Sequence, residues 1–179
     1  AMGGAQYVHT FDKCFFMPSD LTAGLEYNRD RLKDNMWGYD RHTDQTVNIY
    51  SAFLQNEWKN DRWGILIGGR LDKHNMVDNV IFSPRANLRF NPTQNINLRL
   101  SYSSGFRAPQ AFDEDMHIEN VGGTVAMIER AKNLKEEKSQ SFSASADMYH
   151  RFGVFQTNFL IEGFYTRLTD VFVLGEPYD

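Results

Sequence analysis

An alternation of apolar and polar residues with a period of two is the feature that most constrains how this chain folds. Between residues 95 and 103, Ile96, Leu98, Leu100 and Tyr102 alternate with asparagine, arginine and serine. Successive side chains of a β-strand point to opposite faces, so this run predicts a strand with one apolar and one polar face. The same alternation recurs in residues 21–27, 82–90 and 141–148.

Less regular patterns extend the prediction to an all-β chain. Further strands are predicted over four segments rich in apolar and aromatic residues, namely residues 7–17, 46–59, 63–71 and 154–167. In residues 46–59 the apolar residues fall on both sides of the alternation, which leaves the orientation of that strand open. Together the segments predict an antiparallel up-and-down meander of about eight strands, with no helix.

The predicted connections between strands alternate in length. Short turns are predicted near residues 18–20, 60–61, 91–94 and 151–153. Longer polar segments are predicted between them, over residues 29–45, 72–79 and 107–138. Tight turns at one end of a meander and long loops at the other are typical of transmembrane β-barrels.

Aromatic and charged residues favour the same interpretation. Aromatic residues make up 14% of the chain, and they gather near the predicted strand ends. One group flanks the short turns (Trp58, Trp63, Phe90, Tyr149, Phe152 and Phe155), and another lies toward the long loops (Tyr27, Tyr102 and Tyr165). Two aromatic belts are characteristic of strands that cross a membrane. The regular apolar faces carry no charge, so we expect them to contact lipid, although alternation alone also allows a soluble barrel with its apolar face inward.

Composition and motifs give no support to several other functions. The formal net charge is −4, which does not suggest nucleic-acid binding, and the single cysteine, Cys14, permits no internal disulfide. No apolar run approaches the roughly 18 residues of a membrane-spanning helix, and the first residues lack the features of a signal peptide. Neither a G-x-S-x-G motif nor a metal-ligand spacing of histidines occurs, so no catalytic residue, metal or cofactor is predicted.

Three motifs carry a family resemblance. Residues 101–109 read S-Y-S-S-G-F-R-A-P, residues 133–139 read N-L-K-E-E-K-S, and residues 68–72 read G-G-R-L-D. They resemble Y-S-x-G-F-R-A-P, L-K-P-E-K-S and G-x-R-x-D of the barrel domain of TonB-dependent outer-membrane receptors. The second motif departs from the family at Glu136, where proline is usual.

The resemblance implies both an architecture and a function. Barrels of this family have about 22 strands and a plugged lumen, so residues 1–179 are expected to form part of one barrel domain, without the plug and the remaining strands. The implied function is part of a Gram-negative outer-membrane transporter that takes up a large, scarce ligand of the iron–siderophore or cobalamin type. The implied partners are the TonB complex, which supplies energy through the missing N-terminal parts, outer-membrane lipid and the extracellular ligand. Unpaired edges of the sheet would also allow self-association.

Two sets of candidate site residues follow. Arg107 of the F-R-A-P motif and the acidic segment Asp113, Glu114, Asp115 and His117 are expected to contact ligand in an extracellular loop. The acidic side chains could also hold a hard cation, but they lack EF-hand spacing, and a solvated loop tip is the alternative. For Arg107 the alternative is a structural role at the base of the loop. The second set, Arg85, Arg89 and Arg99, is expected to face the lumen.

Two functions of other classes stay open at this point. A soluble ligand-binding β-barrel would turn its apolar face inward and would be monodisperse without detergent. An outer-membrane β-barrel enzyme would need a nucleophile and a base, and no such pair is readable in the sequence.

Overall fold

The computed structural model describes residues 1–39, 41–109, 118–121, 124–127 and 135–173. These residues form the strands β1 (Met2–Cys14), β2 (Met17–Met36), β3 (Arg41–Lys59), β4 (Trp63–His74), β5 (Val80–Thr93), β6 (Ile96–Arg107), β7 (Ile118–Val121), β8 (Thr124–Met127), β9 (Glu137–Phe152) and β10 (Phe155–Thr169). Among them lies a single 3-10 helical turn (Trp37–Tyr39), between β2 and β3. Eight strands form one antiparallel sheet in the order β1-β2-β3-β4-β5-β6-β9-β10, and β7 pairs with β8. The predicted meander is confirmed.

The sheet is open, since in the described residues β1 pairs only with β2 and β10 only with β9. No helix in the described part of the chain has the length and hydropathy needed to cross a membrane.

The register of the sheet gathers the predicted apolar side chains on a single face. Leu25, Ala52, Leu71 and Phe82 lie opposite one another across β2, β3, β4 and β5. A second row on the same face runs from Leu88 through Leu100 and Ala144 to Gly163, across β5, β6, β9 and β10. We call the face formed by these residues, and by every second residue from them, the apolar face, and the opposite one the polar face.

The same register orients β3, which the sequence left open. Tyr50, Ala52 and Leu54 lie on the apolar face, so Phe53 lies on the polar face. Gly24 of β2 is directly opposite Phe53, and a Cβ atom there would overlap with the Phe53 ring. The large ring is accommodated because its neighbour has no side chain.

Short connections lie at one end of the sheet and the other connections at the opposite end, as predicted. Short connections join β1 to β2, β3 to β4, β5 to β6 and β9 to β10 at what we call the turn end. Those between β2 and β3, β4 and β5, and β6 and β9 lie at the loop end.

One predicted turn was misplaced. The sequence suggested a turn at residues 18–20, but the chain reverses at Phe15 and Phe16, and β2 already begins at Met17. Phe15 adopts a positive φ of 63°, which is unfavourable for a bulky residue. Trp58 of β3 holds this turn, since its ring lies 5.8 Å from that of Phe16 and its indole nitrogen donates to the Cys14 carbonyl at 3.0 Å.

The predicted long loop over residues 29–45 is mostly strand. β2 and β3 stay paired as far as Met36 and Arg41, well beyond the apolar part of the sheet. Cross-strand polar contacts stabilise this extension, such as the Arg31–Asp44 salt bridge at 2.7 Å. Both faces of the extension are polar, so the alternation that revealed the other strands is missing here.

Aromatic side chains form two belts on the apolar face. The turn-end belt contains Trp58, Trp63, Phe90, Phe152 and Phe155, and the loop-end belt contains Tyr27, Tyr50, Tyr102, Phe142 and Tyr165. Rings contact each other within each belt, with centroids 4.2 Å apart for Trp63 and Phe90 and 4.9 Å apart for Tyr27 and Tyr50. Tyr149 was wrongly assigned to a belt, because it lies on the polar face and its hydroxyl donates to Asp147 at 2.8 Å.

Close approach of β3 leaves no room for a side chain at Gly68 of β4. A Cβ atom at Gly68 would lie 2.6 Å from the Gln55 Cβ and 3.0 Å from the Leu54 carbonyl oxygen, whereas one at Gly163 would meet nothing within 4 Å. We expect Gly68→Ala to lower the free energy of unfolding by about 1–3 kcal/mol, and Gly163→Ala by less than about 0.5 kcal/mol. Urea unfolding in detergent measures both. Equal stability of the two variants would contradict the close approach.

Candidate functional site

The polar face holds most of the polar chemistry of the sheet. Arg85 and Arg89 of β5 and Arg99 of β6 lie on it, on the side opposite the apolar residues as the sequence predicted. Between them and β10 runs a stripe of serines, in which the hydroxyls of Ser101 and Ser143 are 2.6 Å apart. The face is continuous from β1 to β10, because every strand of the sheet is paired in register with the next.

A four-residue network in the middle of this face links three strands. Arg70 of β4 donates to Glu26 of β2 at 2.6 Å, to Asp72 at 2.8 Å and to the Ser51 hydroxyl of β3 at 2.8 Å. The Ser51 hydroxyl in turn donates to Asp72 at 2.5 Å. Asp72 is only 3% exposed, so its charge depends on these partners.

The network was not predicted as a site. Arg70 and Asp72 belong to the G-x-R-x-D resemblance, and residues two apart on a strand share a face. Glu26 and Ser51 come from other strands, so only the register brings them to Arg70. The sequence motif therefore contained only half of the network, namely Arg70 and Asp72.

The longest connection starts at the loop end of β6, and two sets of contacts hold the chain there. Phe106 and Ala108 pack with Val77 and Ile81 in a small apolar cluster. Arg107 lies between them in sequence, and its guanidinium carbon lies 5.9 Å from the centre of the Phe172 ring. The backbone N–H of Phe172 donates to Glu137, the register partner of Arg107, at 3.4 Å. The surroundings of Arg107 thus fit the structural alternative, a role at the base of the loop.

The contact with Arg107 leads to a test of that role. Replacement by glutamine removes the cation–π contact, which is worth about 0.5–1 kcal/mol at an exposed site. We expect Arg107→Gln to raise amide hydrogen exchange at residues 171–173 by roughly two- to five-fold, as this free energy requires. Arg99→Gln on the same strand is the control. Unchanged exchange in Arg107→Gln would show that Arg107 does not hold this segment.

Glu136 occupies the position where the resemblance expects proline. It is buried just before β9 and forms a salt bridge with Lys138 at 2.9 Å. Burial acts to raise the pKa of Glu136, but the hydrogen bond from Lys138, a backbone hydrogen bond and the charges of Lys138 and Lys135 together outweigh it and hold the pKa below its usual value. The pair therefore stabilises the fold above the ordinary glutamate pKa, near 4.3, and this contribution is lost as the pH falls through the lowered value.

The other predicted ligand residues belong to the acidic segment. Asp113, Glu114, Asp115 and His117 lie outside the described residues. In the part of the chain that the structure describes, no group of three or more His, Cys, Asp and Glu residues is arranged to hold a metal ion.

Comparison with known proteins gives two kinds of match. The family model described as "TonB dependent receptor-like, beta-barrel" matches residues 3–178, whereas no curated protein matches the chain. The solved siderophore receptor PirA from Pseudomonas aeruginosa matches with a TM-score of 0.70 and 15% identity, over 89% of this chain and 30% of that receptor. A variant of the ferric enterobactin receptor PfeA from Pseudomonas aeruginosa, in complex with enterobactin, matches with a TM-score of 0.63 and 17% identity, over 83% of this chain and 24% of the receptor. The chain thus spans less than a third of each receptor, and at these identities the structures show a common fold.

Proposed function

We propose a function from the premise that this chain belongs to the family of TonB-dependent receptor β-barrels, whose model matches it from residue 3 to residue 178. Receptors of this family are outer-membrane proteins of Gram-negative bacteria, and the outer membrane is the localisation of this protein. We propose that the chain is part of an active transporter that takes up a large, scarce ligand of the iron–siderophore type with energy from the TonB complex. Cobalamin is the alternative ligand class.

The distribution of exposure over the sheet is the observation that carries this proposal. On the apolar face Leu25, Phe82 and Leu100 are 66%, 60% and 54% exposed. On the polar face Ser51 and Asp72 are 6% and 3% exposed. A water-soluble sheet protein buries its apolar face, whereas this sheet leaves its apolar face exposed. Lipid is the environment in which such an exposed apolar face is stable.

The separation of the aromatic belts supports the same orientation. Phe155 and Tyr165 belong to opposite belts and are ten residues apart on β10. At about 3.3 Å per residue they are roughly 33 Å apart along the strand. A tilt of about 40° reduces this to a height of about 25 Å, which is the apolar band of an outer-membrane barrel.

The wider architecture is part of the proposal. Residues 1–179 would form one segment of a barrel domain, whose remaining strands and plug lie elsewhere in the protein. Arg85, Arg89 and Arg99 would then face the lumen, and outer-membrane lipid would cover the apolar face. The open edges at β1 and β10 would pair with those further strands, or with another copy when the segment is isolated.

The siderophore class is proposed by likeness to receptors whose own descriptions name such ligands. PirA is described as a siderophore receptor, and the PfeA variant was solved with enterobactin. These matches are to receptors, and the sequence offers no nucleophile–base pair, so we propose transport without catalysis. The loop residues Asp113, Glu114, Asp115 and His117 remain the proposed ligand contacts, and Arg107 is proposed to contact ligand from the base of this loop.

Uptake in a deletion strain tests the proposal. Cells that lack the gene are grown without free iron and supplied with radioactive iron as one of several ferric siderophores, or with labelled cyanocobalamin. We expect uptake of one ferric siderophore to be lost, and to return with the intact gene only when TonB is present. Unchanged uptake of every ferric siderophore, with loss of cyanocobalamin uptake, would replace the siderophore class by cobalamin. Unchanged uptake of all of these ligands would overturn the proposed ligand classes.

A further inference from the structure

The sign of the charge alternates along the loop-end part of β2. Residues 29–34 read R-D-R-L-K-D. Because successive side chains of a strand point to opposite faces, the three basic residues share one face and the two acidic residues share the other. The register of β2 with β3 places Arg29, Arg31 and Lys33 on the apolar face, directly beyond Tyr27 of the loop-end belt. We call these three residues the basic ladder.

The partner strand neutralises only part of this charge. β3 faces the basic ladder with two uncharged residues and Asp44. Asp44 accepts two hydrogen bonds from the Arg31 guanidinium, at 2.7 and 3.0 Å. Arg29 and Lys33 form no salt bridge with a described residue. The ladder therefore keeps a positive charge, and its members repel one another unless an anion lies among them.

The two faces of this part of the sheet also differ in exposure. Gln45 and Val47 lie on the polar face of β3 and are buried. The side chains of the basic ladder on the other face are all exposed. Protein therefore covers the polar side of the extension, whereas the basic side is open to its surroundings.

Asn75 holds the extension in line with the rest of the sheet. β4 pairs with β3 only as far as Ile49, and Asn75 follows directly after β4. Its side chain accepts a hydrogen bond from the Asn48 backbone N–H and donates one to the Thr46 carbonyl, both at 2.9 Å. The extension thus continues the sheet, and the face that carries the basic ladder is the face that meets lipid below the belt.

The distance from the belt places the ladder at the level of lipid headgroups. Arg29 and Arg31 lie two and four residues beyond Tyr27, which is about 7 and 13 Å along the strand. With a strand tilt of about 40° they stand roughly 5 and 10 Å above the belt. The headgroup region extends about 5–8 Å beyond the hydrocarbon core on each side of a bilayer. The long side chain of Lys33 can bend toward the same region.

We propose that the basic ladder binds the phosphate groups of lipid headgroups in the leaflet at the loop end. The long loops of outer-membrane barrels are extracellular, so this is the outer leaflet. Guanidinium and ammonium groups are the donors that phosphate oxygens favour in proteins. A phosphate among the three cations also removes their mutual repulsion. This inference rests on the proposed function, because only a barrel in the membrane brings the ladder to a lipid surface.

Lipid binding by the intact protein tests this inference. The protein is stripped of lipid in a neutral detergent, and bound lipid is counted by native mass spectrometry. It is titrated with lipid A, which carries two phosphates, and with lipid A from which both phosphates have been removed. Arg29→Gln/Lys33→Gln removes two cations of the ladder and keeps the salt bridge of Arg31. Arg62→Gln/Arg151→Gln is the matched control, since it removes two cations of the turn end that form no salt bridge with a described residue.

We expect the unchanged protein to bind lipid A at least about ten-fold more tightly than the dephosphorylated lipid. Arg29→Gln/Lys33→Gln should weaken binding of lipid A by roughly 25-fold, or about five-fold for each cation, and the control by less than about two-fold. Equal weakening in the two variants, or equal affinity of the unchanged protein for both lipids, would overturn the proposal.

Insertion into phosphatidylcholine vesicles separates this inference from the proposed function. A protein that does not insert contradicts the membrane barrel itself. A protein that inserts, but binds lipid A no better than the dephosphorylated lipid, contradicts the phosphate site alone.

Discussion

Leu98→Arg is expected to prevent assembly of the protein in the outer membrane. Leu98 lies on the apolar face of β6, directly opposite Phe90 of the turn-end belt and Ala146, and four residues before Tyr102 of the loop-end belt. An arginine on the lipid side of a barrel costs up to about 2–4 kcal/mol, the value at the bilayer midplane. That is a large part of the 5–15 kcal/mol that typically separates folded from unfolded proteins. Heat-modifiable mobility of the outer-membrane fraction on gels measures assembly.

Ser101→Arg provides the matched control for this prediction. Ser101 is three residues further along β6 on the polar face, beside Ser143. The change removes one hydroxyl hydrogen bond, worth about 1 kcal/mol, and the new charge faces away from lipid. Normal assembly of Leu98→Arg, or failure of both variants, would contradict the assignment of the two faces.

The second large effect is expected at Arg70. Arg70→Met removes three hydrogen bonds from the polar network and leaves the Asp72 carboxylate with Ser51 as its partner. A buried charge that loses its partners lowers the free energy of unfolding. Because the Arg70 side chain is 39% exposed, solvent reduces this loss. We expect a loss of roughly 1–3 kcal/mol in the free energy of unfolding.

Two further variants separate the network from the mere loss of an arginine. Arg29→Met removes an exposed arginine side chain that has no hydrogen bond or salt bridge within the described residues, and should cost less than about 0.5 kcal/mol. The double variant Arg70→Met/Asp72→Asn should recover part of the loss, because the buried charge at Asp72 is then no longer left without its cation. Urea unfolding in detergent measures all of them. If Arg70→Met is as stable as Arg29→Met, the network does not stabilise the sheet.

The meander was predictable because a strand between lipid and a polar interior must alternate strictly. The register then follows from matching apolar side chains, as for Leu88, Leu100 and Ala144. Where both faces of a strand meet polar surroundings, apolar and polar residues need not alternate. Residues 29–45 were predicted as a loop for that reason. The turn before β2 was misplaced because Pro18 and Asp20 favour turns locally, whereas Trp58, distant in sequence, holds Phe15 and Phe16.

The candidate site was predictable only where it depends on single strands. Arg85, Arg89 and Arg99 were assigned to the polar face by alternation alone, and the structure places them there. The network of Arg70 needed Glu26 and Ser51, which lie 44 and 19 residues away in sequence. Tyr149 was grouped with the belts by its position near a turn, but its place in the alternation of β9 puts it on the polar face.

The orientation of the sheet in the membrane is the central claim, and labelling along β6 tests it most directly. Single cysteines at residues 98, 100, 101 and 103, in a background with Cys14→Ser and no other cysteine, carry an environment-sensitive fluorophore in the intact protein in liposomes. A quencher confined to the lipid acyl chains should quench the labels at 98 and 100 strongly and those at 101 and 103 weakly. Equal quenching at the four positions, or the opposite pattern, would contradict an apolar face in contact with lipid.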